Sequence, residues 1–290
     1  MQPCLICGMD NYQCIHVGTR DVPDLRVLKC KFCSCVQLES RAYNTEENYA
    51  DGGMLRGRGY NVSSYDTSEL DWDTWIKQTE ADNERRFQQL SALCNGKRVL
   101  EFGCGNGGFL RKIKKVAAHV TGIELMDEAR QRLQEEGISV YKTPNHERYD
   151  VICMFHVIEH LNDLDTVLRD LRKSLRAGGV FVCETCNADD ALITKYHCKA
   201  FEDFTYWSEH VFLFNSETLE KLMLRNGFLT VQNLQIQRYP LANHLYWLAN
   251  GKPGGHIEWN EFRDEELDQR YAKMLVERKI GDTLWYIGSL

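Results

Sequence analysis

The central part of the chain alternates short apolar runs with amphipathic ones. Lys97-Arg98-Val99-Leu100-Glu101-Phe102 reads as a strand, and Gly103-Cys104-Gly105-Asn106-Gly107-Gly108 turns it into a helix running through Val116. A strand over 120–124 follows, then a helix over 127–136, a short strand over 139–141 and a strand over 151–155. A helix over 163–175, ended by Gly178-Gly179, leads to a fifth strand over 180–184. Strands separated by helices of this length require crossover connections, so the sheet is expected to be parallel and covered on both faces. Ahead of it, Trp75, Ile76, Phe87, Leu90 and Leu93 fall at helical spacing and predict a helix over 72–94. Behind it, Asn215 caps a helix to Arg225, closed by Asn226-Gly227; 229–237 alternates like a strand, and Thr283 to Ile287 supplies another. An insertion over about 240–281 separates those two strands and carries a charged helix over about 261–278. Its opening residues, Arg238, Tyr239, Asn243 and His244, are candidates to complete a pocket. Three regions result: a Cys-rich module over 1–45, a bridge of loop and helix over 46–96, and an α/β domain over 97–290.

Composition narrows the function classes. The 290 residues are 43% hydrophobic and 27% charged, with a formal net charge of -7. That balance does not favour nucleic-acid binding, which needs clustered Lys and Arg; residues 1–60 hold seven Lys/Arg and seven Asp/Glu. No apolar run approaches the roughly 20 residues that span a bilayer. Met1-Gln2-Pro3-Cys4 has no basic and apolar leader, so a cytoplasmic location and no membrane partner are expected.

Six of the twelve cysteines fall within the first 35 residues. Cys4-x-x-Cys7 and Cys30-x-x-Cys33 form two knuckles, each placing two thiolates on one tight turn, and together they make a tetrahedral S₄ set that suits structural Zn²⁺. Free buried cysteines are the alternative, and Cys14, His16 and Cys35 are possible substitute ligands. The other six cysteines read as small buried hydrophobes.

The glycine-rich bend after the first strand lets the backbone approach a ligand at a helix N-terminus. Gly103-x-Gly105-x-Gly107 is looser than the dinucleotide fingerprint, and a plain strand-to-helix turn is the alternative. Glu124, at the end of the next strand, can accept two hydrogen bonds from a ribose diol. Together with Tyr149-Asp150-Val151-Ile152, Phe155-His156-Val157-Ile158-Glu159-His160-Leu161 and Leu175-Arg176-Ala177-Gly178-Gly179, this stretch resembles the class I S-adenosylmethionine-dependent methyltransferases over roughly 97–235. The resemblance implies a doubly wound, seven-stranded Rossmann-like sheet whose antiparallel last strand is Thr283 to Ile287. It implies that Glu101, Gly103, Gly105 and Gly107 contact the methionine end of S-adenosylmethionine. Glu124 would hold the ribose, Leu125 and Met126 would flank the adenine, and Phe155 and His156 would line the methionine side. No residue after the third strand is assigned to the adenine, because Lys142 to Tyr149 is short.

Methyl transfer from a sulfonium needs alignment and often a base, and histidine is the best-tuned base near neutral pH. His160 lies after the fourth strand. Tyr206-Trp207-Ser208-Glu209-His210 resembles the Tyr-x-x-Glu-His element of the zinc-containing sugar C-methyltransferases, where the Glu-His pair sits at the sugar and the His acts as base. Tyr206, Glu209, His210 and His160 are therefore carried over as substrate-site candidates, with packing or capping as the bland reading of each histidine. The chain lacks the large C-terminal domain of those enzymes, which turns the expectation towards O- rather than C-methylation. Tyr60, Tyr65, Arg56 and Arg58 are candidates for a lid or a solvated loop. The expectation is a methyltransferase acting on a small polar acceptor, sugar-linked or phosphorylated: a sugar nucleotide or a capsule or lipopolysaccharide precursor. An RNA methyltransferase that reads RNA through the zinc module and an inactive S-adenosylmethionine-binding protein are the rivals.

Overall fold

The computed structural model describes residues 3–52 and 72–290. The suggested lid residues Arg56, Arg58, Tyr60 and Tyr65 lie outside them. The elements, in chain order, are β1 (Tyr12–Val17), β2 (Arg26–Cys30), β3 (Val36–Leu38), α1 (Glu46–Ala50), α2 (Trp72–Cys94), β4 (Arg98–Phe102), α3 (Gly108–Ile113), β5 (His119–Ile123), α4 (Asp127–Glu135), β6 (Ser139–Tyr141) and β7 (Tyr149–Phe155). They continue with α5 (Leu164–Ser174), β8 (Leu175–Cys186), α6 (Ala191–Thr194), α7 (Lys199–Thr205), β9 (Phe212–Leu213), α8 (Ser216–Arg225), β10 (Leu229–Ile236), α9 (Leu241–Asn250), α10 (Gly255–Glu258), α11 (Glu265–Glu277) and β11 (Thr283–Ser289).

The large sheet has the order β10-β11-β8-β7-β4-β5-β6. β4 to β8 pair in parallel, while β11 runs antiparallel to both β8 and β10. This is the doubly wound, seven-stranded arrangement expected from the sequence. Its parallel strands are buried along most of their length, as sheets covered on both faces must be.

The structure departs from the expected elements at several points, among them the Gly178-Gly179 pair, the end of α3 and the insertion. Gly178-Gly179 does not end a helix: α5 already stops at Ser174, and the glycines sit in a bulge of β8, where pairing to β7 jumps from Tyr149↔Leu175 to Val151↔Val180. Helix α3 ends at Ile113 rather than Val116. The insertion holds α9 as well as the charged helix, and α9 buries Ala242, Asn243, His244, Tyr246 and Trp247. His244 is 2% exposed and its Nδ1 lies 2.8 Å from the Tyr271 hydroxyl of α11, so it packs inside the insertion.

The Cys-rich module is sewn to the α/β domain. Its strands form a four-stranded sheet, β1-β2-β3-β9, in which the last strand comes from the segment after β8. Val36↔Leu213 and Gln37↔Phe212 pair, and the Leu38 N–H donates to the Val211 carbonyl at 3.1 Å. The Arg20 Nε donates to the Phe204 carbonyl at 2.7 Å, and Asp21 accepts from the Ser208 N–H at 3.1 Å and its hydroxyl at 2.5 Å. One apolar cluster runs from Leu25, Val27 and Leu38 through Phe212 and Phe214 to Leu168 and Phe181.

Candidate active site

Two bends meet at the carboxyl ends of β4 and β5. Gly103, Gly105 and Gly107 all have positive φ (75°, 50° and 72°), and a Cβ on Gly107 would lie 2.3 Å from a Leu133 methyl. The Gly105 N–H donates to Glu124 Oε2 at 2.7 Å, and the Met126 N–H donates to Glu124 Oε1 at 2.9 Å. Glu101 is 4% exposed, and its Oε2 has no hydrogen-bond partner among the described residues. Burial pushes its carboxyl up to about 8, with Arg86 opposing and Glu124 adding to the shift. A buried carboxyl with an open acceptor beside a glycine bend suits a ligand ammonium. Met126 packs with Trp72 and Ala129, flanked by Trp75 and Ile76 of α2. Leu125 is half-buried, and its carbonyl accepts from Arg130 Nη1 at 2.6 Å.

Phe155, at the end of β7, is 6% exposed and packs between Phe109 and Trp285, with the Arg86 guanidinium 4.5 Å from its ring centroid. The next residue, His156, sits at φ 52°. Its Nδ1 is 3.1 Å from Glu159 and its Nε2 is 3.2 Å from Glu184, the buried carboxylate of β8 that also takes Arg86 Nη2 at 2.8 Å and Arg85 Nη2 at 2.9 Å. Burial alone would lower the His156 pKa, but Cys186, Glu159 and Glu184 outweigh it and raise it well above the ordinary range. His156, Glu159 and Cys186 bring ligand atoms within 4.8 Å of one another, with both ring nitrogens of His156 facing carboxylates. Arg238 donates to Asp82 at 3.0 Å, which also takes Arg85, so the base of the cluster is a chain of alternating charges.

His160 and His210 are brought together: their ring centroids are 5.0 Å apart. His160 stands on the 3₁₀ turn 158–160 after β7, and His210 on the loop that leads into β9. His160 Nδ1 is 2.9 Å from the Glu209 carbonyl and 3.0 Å from the Tyr49 hydroxyl, and His210 Nδ1 is 2.9 Å from the Thr205 carbonyl. Burial lowers both, His210 to about 3 with help from His160. Both rings are therefore neutral near pH 7. Glu209 is 1% exposed and its side chain accepts from the Asn48 amide. Tyr206 takes a different place: it is 4% exposed and its ring packs on His16 of the module at 5.0 Å. The sequence reading missed Tyr49, Asn48 and Asn44, whose amide donates to the His160 carbonyl at 2.6 Å. No periodicity marks them.

In the module, Cys4, Cys7, Cys30 and Cys33 place four sulfurs within 4.8 Å of one another, with Cys4–Cys33 and Cys7–Cys30 each at 3.5 Å. The spacing fits one tetrahedral ion. Cys14 is exposed and donates to the His16 carbonyl, while His16 Nε2 lies 2.9 Å from Asp203. Cys35 is fully buried with its thiol on the Val36 carbonyl at 3.7 Å.

The family described as "Methyltransferase domain" matches residues 75–233, from the first turns of α2 into β10. The chain belongs to this family. The chain is 31% identical over 105 residues to a ubiquinone biosynthesis O-methyltransferase of Aeromonas salmonicida, covering 32% of this chain and 44% of that protein. To its namesake from Actinobacillus pleuropneumoniae it is 30% identical over 157 residues, covering 43% of this chain and 67% of the other. The chain thus spans less than half the length of the first of these relatives. A methyltransferase structure from Archaeoglobus fulgidus, 17% identical, superposes with a TM-score of 0.52 over 76% of this chain and all of that one, a likeness of fold. The chain's matched region has the fold of a solved S-adenosylmethionine-dependent methyltransferase. No helix of the described residues is long and apolar enough to cross a membrane.

Proposed function

We propose that this methyltransferase methylates a hydroxyl of a small polar acceptor, with His160 as general base. The observation that carries the reading is the His160–His210 pair, two neutral imidazoles whose Nδ1 atoms are taken by backbone carbonyls. A neutral ring so held presents its Nε2 lone pair. His160 is preferred over His210 because His210, near 3, is too weak a base for a hydroxyl. Glu209 stands beside the pair, and Tyr206 braces the same loop from the module side.

When bound, S-adenosylmethionine supplies an electrophilic methyl on a sulfonium. Glu101 would accept its ammonium, and Gly103, Gly105 and Gly107 would let the backbone close on the methionine moiety. Glu124 would take the ribose diol, Leu125 and Met126 would flank the adenine, and Phe155 and His156 would line the sulfur side. The open Oε2 of Glu101 and the paired backbone donors on Glu124 support this fit. Cys4, Cys7, Cys30 and Cys33 would hold a structural Zn²⁺.

A sugar nucleotide or a capsule or lipopolysaccharide precursor is the first acceptor reading, supported by the Tyr206-x-x-Glu209-His210 element next to a module with a four-cysteine cluster. A hydroxyl of a ubiquinone precursor is the second, favoured by the names of the relatives. A panel of sugar nucleotides and ubiquinone-pathway hydroxyl compounds, assayed with methyl-labelled donor, separates them. His160→Ala should lower transfer to the accepted compound by about 10²–10⁴-fold; an unchanged rate removes His160 as base.

A further inference from the structure

The wiring of His160 reaches back into the segment that follows the Cys-rich module. Its Nδ1 faces the Glu209 carbonyl at 2.9 Å and the Tyr49 hydroxyl at 3.0 Å. A carbonyl oxygen only accepts, so the neutral ring carries its proton on Nδ1. The Tyr49 oxygen can then only accept from that nitrogen, which leaves the phenol proton for another partner. The acceptor near it is the buried Glu209 carboxylate, whose charge bears on the Tyr49 phenol. The Glu209 carboxylate is buried and anchored by the Asn48 amide, one residue before Tyr49 on α1. The first link of an ordered chain, His160 Nδ1–H to the Tyr49 oxygen, is in place, and the Tyr49 O–H is left for the nearby Glu209 carboxylate.

We propose that Tyr49 is a positioning residue for methyl transfer, linking His160 Nδ1 to the Glu209 carboxylate so that Nε2 is the nitrogen that receives the acceptor's proton. The proposal rests on the reading of His160 as the base. In the step, the acceptor O–H bond breaks as Nε2–H forms, and O–CH₃ forms as S–CH₃ breaks, leaving a neutral thioether. Tyr49 and Glu209 keep their protonation states. The new imidazolium charge is met by the Glu209 charge through the phenol. The other charged or titratable groups facing His160 are Glu159, which favours its charged form, and His156 and Arg20, which oppose it; His210 stacks at its edge. On this view the segment after the module is a working part of the acceptor site.

The test uses the full chain saturated with S-adenosylhomocysteine, with ring-labelled histidine followed by NMR across a pH titration. Tyr49→Phe keeps the ring and loses the hydroxyl, so the His160 midpoint should fall by about one pH unit, the scale of one hydrogen bond to a charged group. Glu209→Gln should lower it similarly, and the double variant should go little further. The heat of S-adenosylhomocysteine binding should be unchanged in Tyr49→Phe, which shows that the fold is intact. A His160 midpoint unmoved by Tyr49→Phe overturns the proposal; one moved by Tyr49→Phe but not by Glu209→Gln overturns the link to the carboxylate. A His160→Ala enzyme with full transfer activity would instead overturn the base reading, an outcome independent of the titration.

Discussion

The Gly105 N–H points at Glu124 Oε2 from 2.7 Å, so the carboxylate that follows β5 is locked onto the bend that follows β4. One side chain thereby holds the two bends in register. Glu124→Ala should weaken S-adenosylhomocysteine binding by about tenfold or more, as expected for loss of charge-assisted hydrogen bonds. Isothermal calorimetry reads this directly, and wild-type affinity in the variant would remove Glu124 from the donor site.

Glu101 gives a pH signature. Burial pushes its carboxyl up to about 8 in the folded chain, from an ordinary 4.5. Between those values the folded state holds a proton that the unfolded state has lost, so stability falls as pH rises through the window. Glu101→Gln should flatten that part of the unligated protein's stability curve, measured by urea unfolding at a series of pH values. A slope retained in the variant would assign it to other groups.

Glu184 is fully buried among Arg85, Arg86 and His156. Glu184→Ala strands the Arg86 guanidinium in the core, and removing one partner of a buried pair costs about 3–5 kcal/mol. Chemical denaturation should show a loss of that size. A loss under about 1 kcal/mol would mean that Arg86 finds another partner.

The four module cysteines predict about one zinc per chain by elemental analysis. Cys30→Ser/Cys33→Ser should abolish it. Because β3 carries β9 at its edge, the same variant should also raise amide exchange at Phe212 and Leu213. Full zinc content in the double variant would point to a different ligand set.

Much of the α/β domain was legible because its strands are short apolar runs and its turns carry glycine, the two signals that survive without knowledge of packing. The rest was not, for identifiable reasons. Helix α2 buries Asn83 and Arg86 along with Leu90 and Cys94, so its inward face includes residues that composition assigns to solvent; Glu184, nearly a hundred positions away, makes that burial tolerable. The two-residue strand β9 is too short for any periodicity, and its existence depends on β3 offering an edge. His160, His210 and Glu209 were visible as a local pattern and do cluster. Tyr206, in the same pattern, turns the other way onto His16. Tyr49 reaches His160 through a fold-level contact across 111 positions that no spacing rule encodes.

The completion of the small sheet by Phe212–Leu213 has a consequence for how the chain can be made and cut. Among the described residues, the strand that pairs with Val36–Leu38 on its outer edge lies more than 170 residues further along the chain, after five strands of the large sheet. The cysteine-bearing segment is therefore no portable cassette: grafted onto another enzyme, it would carry an unsatisfied strand edge and invite intermolecular pairing.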